Sequence, residues 1–137
     1  MTKMDINYLG QLHTRCTHPE SGAVIETDAP KDNQGLGEAF SPTDLFAVSL
    51  GSCMITVMGI AAKCMGVELT DLNATVEKEM VTSPVRRVGK IAVHMVCATA
   101  FESGIQKKLE RAALSCPVHH SLHPDIDLEI TFAWGNS

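Results

Sequence analysis

Ser41-Pro42-Thr43-Asp44-Leu45-Phe46-Ala47-Val48-Ser49-Leu50-Gly51-Ser52-Cys53-Met54-Ile55-Thr56-Val57-Met58-Gly59-Ile60-Ala61-Ala62 is the stretch on which the fold turns. A serine at the N-cap followed by proline at the first helical position leaves no needed backbone donor unpaired. Asp44 adds a negative charge to the first turn, where the helix dipole favours it. From residue 45 to residue 62 no side chain carries a formal charge, and apolar residues occupy nearly every face. A helix apolar all round must be covered. Its length touches the lower edge of a membrane span, but Ser49, Gly51, Ser52, Thr56 and Gly59 dilute the apolar run. The expectation is a helix wrapped by its own sheet and a partner subunit, with Gly51 and Gly59 permitting close approach and no membrane involved.

Working outward, Gly66 ends the helix. Upstream, residues 5–8, 11–17 and 23–27 are short and partly alternating, with Gly10 and Pro19-Glu20-Ser21-Gly22 as turn signals, which predicts an antiparallel meander. The polar and glycine-rich residues 29–42 read as a loop. Downstream, residues 71–81 place Ala74, Val76 and Met80 on one side, and residues 90–100 place Ile91, Val93, Met95 and Cys97 on one side. Residues 84–89 make the turn between these two strands. Ser103 caps a shorter helix in which Ile105, Leu109, Ala112 and Ala113 recur at helical spacing, while Gln106, Lys107, Lys108, Glu110 and Arg111 face water. A last strand covers residues 127–134. The order βββαββαβ, with strands grouped and helices few, argues an α+β fold with an antiparallel sheet around the long buried helix, in one domain over residues 1–137.

The chain has 137 residues, 11 basic against 16 acidic side chains and a net charge of −5. No basic stripe runs along any segment that could neutralise a row of phosphates, so nucleic acid is not an expected partner. Residues 1–10 carry no sustained apolar run, so no signal peptide is expected and the cytoplasm is the expected location. Five cysteines, an odd number, suit reduced thiols in that compartment, and any disulfide is expected to be transient.

Cys53 lies inside the apolar helix, where a thiol serves either as a small hydrophobe in a packed core or as a group facing whatever cavity Gly51 opens. Cys116, in Ser115-Cys116-Pro117, has two readings. If Pro117 begins a further helical turn, free backbone donors and the positive dipole end face the sulfur and lower the thiol pKa. If Cys116 closes the preceding helix, the dipole sign reverses, leaving only His119, His120 and His123 as nearby sources of charge. Cys97 alternates into a strand face, Cys64 sits at a helix end, and Cys16 lies beside Arg15; none carries chemistry on its own. The run Cys116, His119, His120, His123 has spacing compatible with a zinc ligand pair, but no Cys-x2-Cys pair accompanies it and neither metal nor other cofactor is expected. Arg86 and Arg87 read as a solvated turn.

The helix start Ser41-Pro42, the mid-helix Gly51-Ser52-Cys53 and the later Ser115-Cys116-Pro117-Val118-His119 together resemble the OsmC/Ohr family of osmotically induced and organic hydroperoxide resistance proteins. The resemblance spans nearly the whole chain. It implies an intertwined α+β homodimer with active sites at the interface. It further implies that Cys53 attacks a hydroperoxide and Cys116 resolves the sulfenic acid as a disulfide, which an external dithiol then reduces. Family members with strong peroxidase activity carry a glutamate where this chain has Thr43, with Asp44 one residue on and about 100° around the helix. The partner arginine of that glutamate lies in the N-terminal strands, where Arg15, or His13 in the same stretch, is the candidate. The resemblance therefore implies either a thiol peroxidase or a non-catalytic thiol-sensing or small-molecule-binding dimer on the same fold.

Overall fold

The computed structural model describes residues 1–135. They form β1 (Asp5–Gly10), β2 (His13–His18), β3 (Ala23–Asp28), α1 (Pro42–Met65), β4 (Leu72–Val81), β5 (Arg87–Cys97), α2 (Ser103–Leu114), α3 (Pro117–Ser121) and β6 (Asp127–Trp134). The class is α+β, as the grouping of strands predicts. The chain divides into two compact units, Met1–Phe46 and Ala47–Ser137.

The first unit holds the antiparallel sheet β1-β2-β3. Its first turn is the pair Gln11 and Leu12, both in left-handed backbone with φ of 53° and 64°. Two such residues match the twist of a two-residue hairpin. Because neither is glycine, asparagine or aspartate, the sequence pattern runs β2 back to residue 11, whereas the strand begins at His13.

In the second unit the sheet order is β4-β5-β6. β4 and β5 are antiparallel, with Val76 opposite Val93 and Ala74 opposite Met95. β5 and β6 run parallel, with Val93 opposite Ile130 and Met95 opposite Phe132. The expected all-antiparallel arrangement is corrected at this one pairing. Parallel neighbours need a crossover, and α2 with α3 supplies it. The short helix α3 is also additional to the expected order. Arg87 belongs to β5, so the turn expected over residues 84–89 closes earlier. At α2 the cap residue is Glu102, not Ser103, and it makes no side-chain cap bond.

The start of α1 is a reciprocal cap. The Asp44 amide donates to Ser41 Oγ at 3.0 Å, and the Ser41 amide donates to Asp44 Oδ2 at 2.9 Å. Two donors that the first turn would otherwise strand are thereby satisfied. By length and composition α1 could cross a membrane. Its residues Ala47, Leu50, Gly51, Met54, Met58 and Ala62 form a buried stripe instead. That stripe joins Ile91, Val93 and Met95 of β5 and Leu109 and Ala113 of α2 in one core cluster. Gly51 is what lets helix and sheet approach: a Cβ there would lie 2.7 Å from Val76 Cγ2. Phe46, Val48 and Ile60, off the stripe, are exposed. The chain thus covers one side of a helix that is apolar on all sides.

Candidate active site

Cys53 lies in the fourth turn of α1 and is half-buried, packed against the core cluster. Cys116 is fully buried in the link between α2 and α3. Of the two readings that the sequence leaves open for Cys116, the structure takes the first: Cys116 is the N-cap of α3 and Pro117 its first residue. The His119 amide donates to Cys116 Sγ at 3.3 Å.

The fold brings the two sulfurs together. Cys116 and Cys53, 63 positions apart in sequence, lie within hydrogen-bonding reach of each other. The electrostatic consequence differs from the sequence expectation of a lowered thiol pKa. Burial pushes the Cys116 thiol above its ordinary value, and the neighbouring Cys53 adds to the rise. The amides of His119 and Val118 pull the other way without prevailing. A five-residue helix offers too few aligned dipoles to outweigh the removal of the sulfur from water. Cys116 is therefore held as a thiol that can donate to the Cys53 sulfur.

An open groove of about 320 Å³ lies between α1 and β4. Val48, Gly51, Ser52 and Ile55 of α1 and Ala74 and Val76 of β4 line it, with the Thr56 hydroxyl side chain at one edge. Ser52 precedes Cys53 in the chain and points about 100° away from it around the helix, and neither thiol lines the groove. It is mostly aliphatic, with a volume at the small end of ligand sites.

The other sequence candidates fall elsewhere. Cys97 is buried and its thiol points to the Thr70 carbonyl at 3.7 Å; Cys64 is exposed; Cys16 is half-buried in β2. All five cysteines are free. Asp44 holds the helix cap, and Thr43 Oγ1 lies 3.2 Å from Ser41 Oγ. Arg15 pairs across the strands with Glu26 at 3.5 Å. His119 and His120 stack edge to face at 5.9 Å, and His123 Nδ1 accepts from the Asp125 amide. The run Cys116, His119, His120, His123 does not gather into a ligand set among the described residues. Glu110, expected to face water, instead accepts from Trp134 Nε1 at 3.0 Å.

Fold and site together define a small α+β protein in which a thiol on a long helix meets a buried thiol at the start of a short one. The chain belongs to the OsmC-like protein family, whose model matches residues 35–131. No protein of curated function matches the sequence. Among solved structures, it is 43% identical to a protein of Psychrobacter arcticus 273-4 provisionally assigned as an osmotic stress induced and detoxification response protein. The match covers 96% of each chain with a TM-score of 0.91. An organic hydroperoxide resistance protein OsmC of Legionella pneumophila shares the fold at 17% identity and a TM-score of 0.78, over 97% of this chain and 96% of that one. The organic hydroperoxide resistance protein OhrB of Bacillus subtilis does so at 15% identity and a TM-score of 0.69, over 96% and 97%.

Proposed function

We propose that this protein is a thiol-dependent peroxidase that reduces organic hydroperoxides in oxidative stress defence, through Cys53 and Cys116. The observation that carries the reading is the contact between the two thiols, with Cys116 kept protonated by burial. The Cys53 thiolate attacks one peroxide oxygen and the O–O bond breaks. The alkoxide takes up a proton and leaves as the alcohol, and Cys53 becomes a sulfenic acid. Cys116 then gives up its proton as its sulfur bonds to Cys53, and water leaves. The resulting disulfide protects Cys53 from irreversible oxidation. An external dithiol restores both thiols by exchange and is itself oxidised to a disulfide.

The aliphatic groove beside Ser52 suits the organic part of such a substrate better than it suits hydrogen peroxide. Organic hydroperoxide resistance in the Legionella and Bacillus relatives is in keeping with this chemistry. The working form is a homodimer with its active sites at the interface, in which a partner covers the outer face of α1. The exposure of Phe46, Val48 and Ile60 supports that assembly. Five free cysteines suit the reducing cytoplasm.

A second reading, a thiol-sensing or small-molecule-binding dimer without fast turnover, draws on Thr43 and Asp44. Thr43 bears no carboxylate, and that of Asp44 is engaged in the helix cap. One experiment separates the two. Intact-mass and disulfide mapping follow one equivalent of cumene hydroperoxide, with wild type beside Cys53→Ser and Cys116→Ser, and consumption is then timed with excess dithiothreitol. A Cys53–Cys116 disulfide in wild type, overoxidised Cys53 in Cys116→Ser, and many turnovers fit the peroxidase. Slow oxidation scattered over Cys16, Cys64 and Cys97 sinks it. The same disulfide formed without turnover leaves the sensing reading.

A further inference from the structure

In the first unit, three side chains converge that the thiol chemistry does not use. His13 and Asp28 are cross-strand partners on β2 and β3. The loop after β3 folds back on itself, with the Gly37 amide donating to the Ala29 carbonyl at 3.3 Å. This brings the Glu38 amide to Asp28 Oδ2 at 2.9 Å. Gly35 makes the fold-back possible, since a Cβ there would lie 1.7 Å from the Ala29 carbonyl oxygen. One ligand atom each from His13, Asp28 and Glu38 then lies within 4.8 Å of the others.

Asp28 is completely buried, and among the described residues its Oδ1 has no hydrogen-bond partner. Among the same residues its Oδ2 accepts only the Glu38 amide, and a buried carboxylate with one donor for two oxygens is costly, so this position calls for a positive charge. The imidazole beside it is oriented to help a cation and not to replace one. His13 Nδ1 lies 2.8 Å from the Gln11 carbonyl oxygen, which can only accept, so Nδ1 carries a proton. In the neutral ring, Nε2 therefore turns a lone pair toward Asp28 Oδ2 at 3.6 Å and Glu38 Oε1 at 3.4 Å. Three electron-rich atoms facing one another repel unless a cation lies among them. The two separations from His13 fit one, since ligand bonds of about 2.1 Å at tetrahedral angles set neighbouring ligand atoms about 3.4 Å apart, and the Asp28 and Glu38 atoms lie within 4.8 Å of each other. A backbone carbonyl holding the far ring nitrogen is also the usual support of a metal-bound histidine.

We propose that His13 Nε2, Asp28 and Glu38 bind a divalent first-row transition ion, with water completing the shell. One imidazole and two carboxylates at near-tetrahedral spacing suit Zn²⁺ best. The ion clips the loop that carries Glu38 to the end of the first sheet. This site is independent of the peroxidase reading, and its test does not involve activity.

The test is Co²⁺ and Zn²⁺ titration of the full chain without an affinity tag, after chelator treatment and with the thiols reduced. Wild type is compared with Asp28→Asn, His13→Gln and Glu38→Gln. The expected result is one equivalent of Co²⁺, displaced by Zn²⁺, with the d–d spectrum of a nitrogen and oxygen shell and no thiolate charge-transfer band. Each variant should weaken binding by at least about tenfold, since even supporting partners of metal ligands cost that much. Glu38 is largely exposed, so Glu38→Gln tests the site without threatening the fold. A thiolate band, binding indifferent to Glu38→Gln and His13→Gln, or no binding at all overturns the proposal.

Discussion

Replacing Gly51 by alanine sets two effects of similar size against each other. Within a helix, alanine is better than glycine by about 1 kcal/mol, so propensity alone predicts a gain. The new Cβ, however, would lie 2.7 Å from Val76 Cγ2, with Val93 Cγ1 next at 3.9 Å. To reach ordinary contact, helix and strand must separate by about 0.7 Å. Val76 cannot simply swing aside, because a β-branched side chain has few open rotamers and its strand is paired to β5 at Val93. Overpacking of this kind costs about 1–3 kcal/mol, so the net expectation is a loss of about 1 kcal/mol. A double-mutant cycle isolates the clash: in a Val76→Ala background Cγ2 is gone, and Gly51→Ala should then stabilise by about 1 kcal/mol. Urea unfolding under reducing conditions, at one fixed protein concentration, measures both. A Gly51→Ala effect that is the same in the two backgrounds, within about 0.5 kcal/mol, refutes the claim that Gly51 sets the spacing of α1 and β4.

Three further outcomes follow from the same structure. Ser41→Ala removes the acceptor for the Asp44 amide and should cost about 1 kcal/mol in urea unfolding, a loss that Ser41→Asn should partly recover. Because the fold raises the Cys116 pKa above its ordinary value of 9.0, the stability it contributes is complete below that value and fades as pH rises toward the folded pKa. Melting temperature should therefore fall more steeply above pH 9 in wild type than in Cys116→Ser, and iodoacetamide below pH 9 should label Cys116 last of the pair; early labelling of Cys116 contradicts the assignment. Glu110→Ala should cost about 1 kcal/mol and shift the emission of the single tryptophan, since Trp134 Nε1 loses its acceptor, whereas Glu110→Gln should retain most of both.

What could be read from the sequence was whatever local chemistry dictates. Ser41, Pro42 and Asp44 announce the start of α1 because capping acts over three residues. The alternation of Ile91, Val93, Met95 and Cys97 announces the buried face of β5 because side chains alternate whatever the strand pairs with. That same indifference hides direction, so the parallel pairing of β6 could not be seen in the pattern. Gly10 signalled the β1–β2 turn, but β2 was begun two residues early because Gln11 and Leu12 adopt a conformation their residue types do not favour. For the thiols, the N-cap position of Cys116 was one of two local possibilities, but its raised pKa depends on burial by residues distant in sequence. Asp28 and Glu38 left no sequence signal, since what unites them with His13 is a strand pairing and a folded loop, not a spacing.

The position of Cys53 on α1 ties the fold to the proposed chemistry. Leu50, Met54 and Met58 turn into the core, whereas Cys53, seven residues from both Phe46 and Ile60, shares their outward face. It is nonetheless half-buried, and it lies within hydrogen-bonding reach of the buried Cys116. A thiol in the buried stripe could not meet a substrate, whereas one on this face can meet both a substrate and Cys116. The proposed partner that covers the outer side would also cover Cys53, excluding water where the proposed reaction would occur. On this argument the apolar outer side of α1 is part of the active site's design, and substitutions there that break the dimer should slow Cys53–Cys116 disulfide formation even though they touch neither sulfur. Ile60→Lys, examined by sedimentation velocity and by the rate of disulfide formation with cumene hydroperoxide, should move both readouts together. A monomeric variant that forms the disulfide at the wild-type rate would show that one chain holds a complete site.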